Sequence, residues 1–207
     1  ELDITPLELD VTRADSIASA LQTIADNGDH IDWLINNAGY GAIGPLAEMP
    51  HAEIERQFAT NVYGPLALVR ALVPAMKANG GGKIVNIGSV SGILVTPFSG
   101  IYCATKAALH AATDALRMEL APFNIDVVLI QPGAIESEFG SNAEASLSRT
   151  FDNQSLYHDV KEGILKRARA SQQNPTSTGE FVETLIRLLE KRHSPALARI
   201  GNNSTAL

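Results

Sequence analysis

An α/β fold, a doubly wound parallel sheet with helices on both faces, is what this sequence predicts, and three observations carry the expectation. Residues 31–35, 83–87 and 126–130 are short, mostly apolar runs of strand length, the pattern of strands buried on both faces. Longer segments between them repeat apolar residues at helical spacing. Asp10, Asn37, Ser89 and the pair Pro132-Gly133 each stand just after an expected strand, where a crevice at the carboxyl ends of parallel strands collects polar groups.

Residues 7–9 end a first short strand, and Thr12 with Asp15 reads as a capped start for a helix through Ile17, Leu21 and Ile24, which Asn27-Gly28-Asp29 stops. The 31–35 run, centred on Trp33, is the next strand. A helix through Ile54 and Phe58 follows, then a longer one through Val62, Leu66, Val69, Leu72 and Met76, interrupted by Pro65 and Pro74. Asn79-Gly80-Gly81-Gly82 is a sharp turn into the β-rich 83–87 run. After Gly100 comes a helix through Leu109, Ala112, Leu116 and Leu120 to Pro122, and then the 126–130 strand. Residues 171–179 form a polar loop before a final amphipathic helix at 181–189, and residues 201–207 carry neither strand nor helix. With no internal repeat or linker, residues 1–207 form a single domain.

Composition narrows the function. The 207 residues are 45% hydrophobic and 19% charged, enough to bury a sizeable core. Sixteen Lys plus Arg against twenty-three Asp plus Glu give a net charge of −7, so no basic field recruits nucleic acid or an anionic membrane. No apolar run reaches the roughly 18 residues of a membrane span. The single cysteine, Cys103, excludes an intramolecular disulfide and suits a reducing, cytoplasmic setting, as a small helix residue rather than a nucleophile. The five histidines, His30, His51, His110, His158 and His193, show no metal-ligand spacing, so no metal is expected.

Chemistry concentrates around Tyr102. Lys106 follows it by four residues and Ser89 precedes it by thirteen, so on a helix phenol and ammonium share one face. A cation within a few ångströms lowers a phenol's pKa by about 1–3 units and fits it for acid–base work. Ser89 can hydrogen-bond a reacting oxygen; Ser91 competes for that role but stands eleven residues from Tyr102. A Tyr-x-x-x-Lys pair alone reads equally as a surface helix pair. Its company is more specific: Asn36-Asn37-Ala38-Gly39 after an apolar run, Asn61 twenty-eight residues before Ser89, and Gln131-Pro132-Gly133.

In that order and spacing the chain resembles the short-chain dehydrogenase/reductase family over nearly its whole length. The resemblance implies a Rossmann-like fold and an NAD- or NADP-dependent oxidoreductase, the alternatives being a non-catalytic cofactor-binding or regulatory module on the same fold, or an inactive fragment. It implies Tyr102 as general acid–base, Lys106 as its pKa-lowering partner and a donor to the nicotinamide ribose, Ser89 as the group orienting the substrate oxygen, and Asn61 holding a water beside the lysine. For the cofactor it implies Asp10 and Val11 at the adenine, Asn37, Ala38 and Gly39 along the ribose, and Pro132, Gly133, Ile135 and Ser137 near the carboxamide. Ser137 replaces the family's usual threonine. The opening at Glu1 and the polar close are read as those of an internal piece, incomplete at both ends, of a longer homo-oligomeric protein. Its Gly-rich phosphate turn and the strand that selects NAD or NADP would precede Glu1. The piece alone would bind dinucleotide at least about 100-fold more weakly than the whole.

The run from Gly39 to Gly44 satisfies the G-x-G-x-x-G fingerprint by letter. That fingerprint needs a helix to start inside it, and Pro45 through Pro50 make a poor helix start. Leu94, Val95, Pro97 and Phe98, with Phe139 and Leu147, outline a mainly apolar pocket for a bulky carbonyl or alcohol. Beyond it, the local basic run 161–169 reads as a solvated helix face whose apolar side, Ile164 and Leu165, could cover a substrate. The sequence around Asn37 also looks like the branch containing 17β-hydroxysteroid dehydrogenases and acyl-dihydroxyacetone-phosphate reductases.

Overall fold

The computed structural model describes residues 4–152, 154–191 and 193–205. Its centre is a four-stranded parallel sheet in the order β1-β2-β3-β4, formed by β1 (Trp33–Asn36), β2 (Gly82–Ile87), β3 (Ile125–Pro132) and β4 (Leu197–Ile200). Alternation sorts the strand side chains between two cores. Ile84 and Val127 face Val69, Leu72 and Met76 of α3 (Gly64–Ala78) and Leu120 of α4 (Gly100–Leu120), with Leu21 of α1 (Ala14–Asp26) packed alongside. Their neighbours Val85 and Val128 turn the other way, joining Ile130 and Ile200 against Leu185 and Leu189 of α7 (Thr178–Leu189). Helices therefore cover both faces of a parallel sheet, as expected.

Register between the first two strands is fixed by a buried polar chain. Asn36 pairs with Asn86 across the ladder, and the Asn36 amide donates to Asn86 Oδ1 at 2.8 Å. The Asn86 amide in turn donates to Thr113 Oγ1 at 2.9 Å, and that hydroxyl to the carbonyl of Leu109 at 2.6 Å. The chain ties β1 and β2 to α4 in a single relative position.

Helix α2 (His51–Phe58) continues through a π turn (Ala59–Tyr63) into α3. Pro65 lacks the N–H that an ordinary turn would use here, and the wider turn, closed by Gly64 N–H to Ala59 O, carries the helix past it. Pro74 lies inside α3.

Two expectations fail locally. Residues 7–9 form no strand: no described strand lies alongside to share a ladder, and Leu7 and Leu9 are exposed. Thr12 does not cap α1; its N–H and hydroxyl both donate to Asp10 Oδ1, at 2.8 and 2.7 Å, and Arg13 takes the cap position. Two elements were not anticipated, strand β4 and helix α5 (Phe139–Thr150). The basic run becomes α6 (Lys161–Ala168), with Lys161, Glu162 and Lys166 exposed.

Candidate active site

The carboxyl ends of the parallel strands meet the start of α4. The loop 37–39 leaves β1, Ser89 follows β2, and Gly133 follows β3, its N–H bonded to Ile200 O at 2.9 Å. Four-residue spacing on α4 puts Tyr102, Lys106 and His110 on one inward face, all buried with Ser89. These three positions and Ser89 converge in one place. The glycines flanking Ser89 allow it: a Cβ at Gly88 or Gly92 would lie 2.5 or 2.3 Å from the His110 ring.

The electrostatics differ from the expectation of a phenol acidified by its lysine. Burial pushes the Tyr102 phenol up to about 12, with Ser89 hydrogen bonding as an opposing influence. Burial pushes Lys106 down to about 8. Its ammonium lies over the Tyr102 ring, 5.8 Å from the centroid, and donates to Ile87 O at 2.7 Å. Removal from water outweighs a cation that stands over the ring rather than at the hydroxyl. The phenol therefore carries its proton at neutral pH.

His110 is a buried titratable group to which the sequence reading gave no role. Its Nε2 accepts from Ser89 N–H at 3.4 Å, and Nδ1 stands 3.5 Å from Gln131 Nε2. Burial, helped by the Lys106 charge and opposed by Asp114, pushes it down from 6.5 to about 4. The neutral ring is the native form, so an unfolded chain binds the extra proton between these values. Stability contributed by His110 is whole above pH 6.5 and is lost as pH falls towards 4, by roughly 3 kcal/mol. Urea unfolding from pH 7 to 4 should show that decline, and His110→Gln should flatten it by a comparable amount; parallel curves would place the titration elsewhere.

Asn61 sits on the π turn with every side-chain atom engaged. Its Oδ1 accepts from Tyr40 N–H at 3.1 Å, and its amide donates to Tyr40 O at 2.9 Å and to Thr105 Oγ1 at 3.0 Å. The turn is thus clamped to the loop after β1 and to α4. At Gly39 a Cβ would stand 3.1 Å from Asn61 Oδ1 and 3.7 Å from Lys106 Nζ, so glycine keeps open an exposed strip, 37–39, that leads to Lys106 and Tyr102.

The remaining expected cofactor contacts are more dispersed. Asp10 follows no strand, and its carboxylate, held below the usual range by the hydrogen bonds from Thr12, is taken up in a local turn. Val11 packs on the start of α3, 2.8 Å from where a Gly64 Cβ would be. Ile135 bridges to Thr176, and Ser137 is exposed, its hydroxyl donating to Ile135 O at 3.3 Å. Pro132 ends β3 rather than following it.

Helices α5 and α6 cover the site from one side. Phe139 lies against Tyr102, ring centroids 5.2 Å apart, and fills the space a Gly41 side chain would need, 2.6 Å from its Cβ. Gly44 leads into a short 3-10 turn (Leu46–Glu48), so the letter match from Gly39 to Gly44 starts no α-helix. Ser146 and Thr150 of α5 bond the backbone of Ile43. Arg149 binds buried Glu53 through Nε at 2.9 Å and Nη2 at 3.2 Å, and the Tyr40 hydroxyl donates to the same carboxylate at 3.1 Å. Burial raises the Glu53 carboxyl, but Arg149 outweighs it and holds the group below its usual range. Glu53, Ser146 and Thr150 were not singled out in the sequence, since each is an ordinary surface type until the fold buries it.

Residues 1–147 match the family model for short chain dehydrogenases. The chain belongs to the short-chain dehydrogenase family. It is 31% identical over 195 residues to 3-ketodihydrosphingosine reductase of Bacteroides thetaiotaomicron, covering 94% of this chain and 72% of that protein. It is 30% identical over 186 residues to human 17-beta-hydroxysteroid dehydrogenase type 1, covering 87% and 56%. The crystal structure of a short-chain dehydrogenase from Streptomyces avermitilis superposes with a TM-score of 0.80 at 30% identity, covering 97% of this chain and 72% of that one. The match extends the family's parallel, helix-covered sheet to this chain. No helix among the described residues is long and apolar enough to cross a membrane, and no three His, Cys, Asp or Glu among them group to hold a metal.

Proposed function

We propose that this short-chain dehydrogenase domain, residues 1–207, interconverts a secondary alcohol and a ketone on a mainly apolar substrate, with Tyr102 as general acid–base. The observation that carries this is the burial of Tyr102, Lys106 and Ser89 together at the carboxyl edge of the sheet. The open strip at 37–39, kept by Gly39, fits the adenine-side ribose of NAD or NADP, with Tyr102, Lys106, Gly133, Ile135 and Ser137 around the nicotinamide end. When bound, the dinucleotide supplies or accepts the hydride. The chain's own residues handle the proton. Ser89 orients the substrate oxygen, Tyr102 gives its Oη proton to that oxygen as negative charge builds there, and the Lys106 ammonium stabilises the phenolate left behind. Because the phenol is protonated at neutral pH, carbonyl reduction is the direction this resting state is set for. The acidic composition and lone buried cysteine fit a cytoplasmic enzyme, and homo-oligomers are expected of the whole protein.

Oxidation of NADH or NADPH by a panel of apolar ketones tests this reading. The expected result is dinucleotide-linked turnover whose kcat/KM is level below about pH 8 and falls above it, as Lys106 loses the charge that it holds only up to about 8. Lys106→Met should remove the falling limb together with most of the rate. Absence of turnover with both dinucleotides would overturn the assignment.

A further inference from the structure

Arg167 of α6 is a half-buried cation with no carboxylate paired to it among the described residues. Its Nε donates to Thr96 Oγ1 at 2.8 Å and its Nη2 to Ser99 Oγ at 3.2 Å, while Nη1 has no hydrogen-bond partner among the described residues. Arg13, Arg56, Arg117, Arg149 and Arg169 each pair with a carboxylate. Arg167 instead spends its burial on two neutral hydroxyls, which leaves a charge that an incoming oxyanion can satisfy. The basic run that holds it has the expected solvated side at Lys161, Glu162 and Lys166, while Ile164 and Ala168 are buried and Arg167 is half-buried between them.

Position gives that charge a purpose. Ser99, the Nη2 partner, precedes α4 and stands three residues before Tyr102, which puts the two about one helical turn, roughly 5–6 Å, apart on neighbouring positions. The guanidinium charge bears on both Tyr102 and Cys103. Immediately before Thr96, Ile93, Leu94 and Val95 are 48%, 45% and 75% exposed, an apolar lip beside a half-buried cation.

We propose that Arg167 binds an oxyanion on the substrate, a carboxylate or phosphate a few carbon atoms from the carbonyl that Tyr102 serves, while the apolar remainder lies along the 93–95 lip. This rests on the acid–base reading of Tyr102 for its catalytic consequence, and on Arg167 alone for binding.

The test uses 4-oxodecanoate, its methyl ester and 2-oxodecyl phosphate on the protein, with NADPH or NADH for turnover and calorimetric titration for binding. The anionic ketones should show at least about tenfold higher kcat/KM and tighter binding than the ester. Arg167→Met should erase that preference through KM, leaving kcat and the ester's constants within about threefold; Arg167→Lys should restore part of it. Preference for one anion over the other identifies the headgroup. Binding that discriminates acid from ester without turnover would sink the oxidoreductase reading and leave the oxyanion site standing. Equal binding of acid and ester, or a preference that persists in a folded Arg167→Met variant, would overturn the site. A melting temperature unchanged by Arg167→Met, with the preference lost, excludes a merely structural hold on Thr96 and Ser99.

Discussion

Replacing Tyr102 by phenylalanine is expected to lower kcat by about 100- to 10,000-fold while dinucleotide affinity and folding stay nearly unchanged. The substitution deletes one hydroxyl and keeps the ring that packs against Phe139 at 5.2 Å between centroids. Because the phenol is buried and carries its proton at neutral pH, its loss removes the group proposed to meet charge developing on the substrate oxygen. Steady-state kinetics beside a dinucleotide titration separates the effects. Retention of more than about a tenth of kcat would take Tyr102 out of the acid–base role.

A stability loss of about 2–4 kcal/mol is expected for Asn61→Ala. The side chain is 1% exposed and holds three hydrogen bonds, two to the Tyr40 backbone and one to Thr105. Alanine removes the acceptor from the half-buried Tyr40 N–H and leaves the Tyr40 carbonyl with Gln57 Nε2 alone, at 3.1 Å. Thr105 keeps its bond to Tyr102 O at 2.8 Å, so damage should centre on the loop after β1. Urea denaturation measures the total, and hydrogen exchange at Gly39 and Tyr40 its location. A loss under about 0.5 kcal/mol would mean that the clamp carries little.

Three of the four strands and the cluster around Tyr102 were legible because each is written in local patterns: short apolar runs, four-residue helical spacing, and asparagine and glycine at strand ends. What the sequence hid lies where burial does not use large apolar side chains. Helix α5 buries Gly140, Ala143, Ser146 and Thr150, a small and partly polar stripe that gives little hydrophobic periodicity. Strand β4 is four residues long, too short for alternation to stand out. Residues 7–9 misled for the opposite reason, since an apolar pattern makes a strand only beside a partner. Charge was equally hard to read. The Tyr102–Lys106 spacing suggests mutual acidification, but desolvation, invisible in one dimension, sets both groups. Arg167 and His110 have helical positions that point them inward, yet their residue types favour an exposed assignment.

The Asn36–Asn86–Thr113–Leu109 chain makes assembly of the catalytic face an error-checked step in folding. A slip of one residue between β1 and β2 would swing Asn36 to the opposite face of the sheet, leaving Asn86 Oδ1 without its donor and β1 without its polar link to α4. Misregistered sheets would then be penalised before Tyr102 could reach the strand ends. Chains able to present the phenol in its pocket would be those that had already paired their strands correctly, so activity and correct topology would emerge in the same kinetic phase.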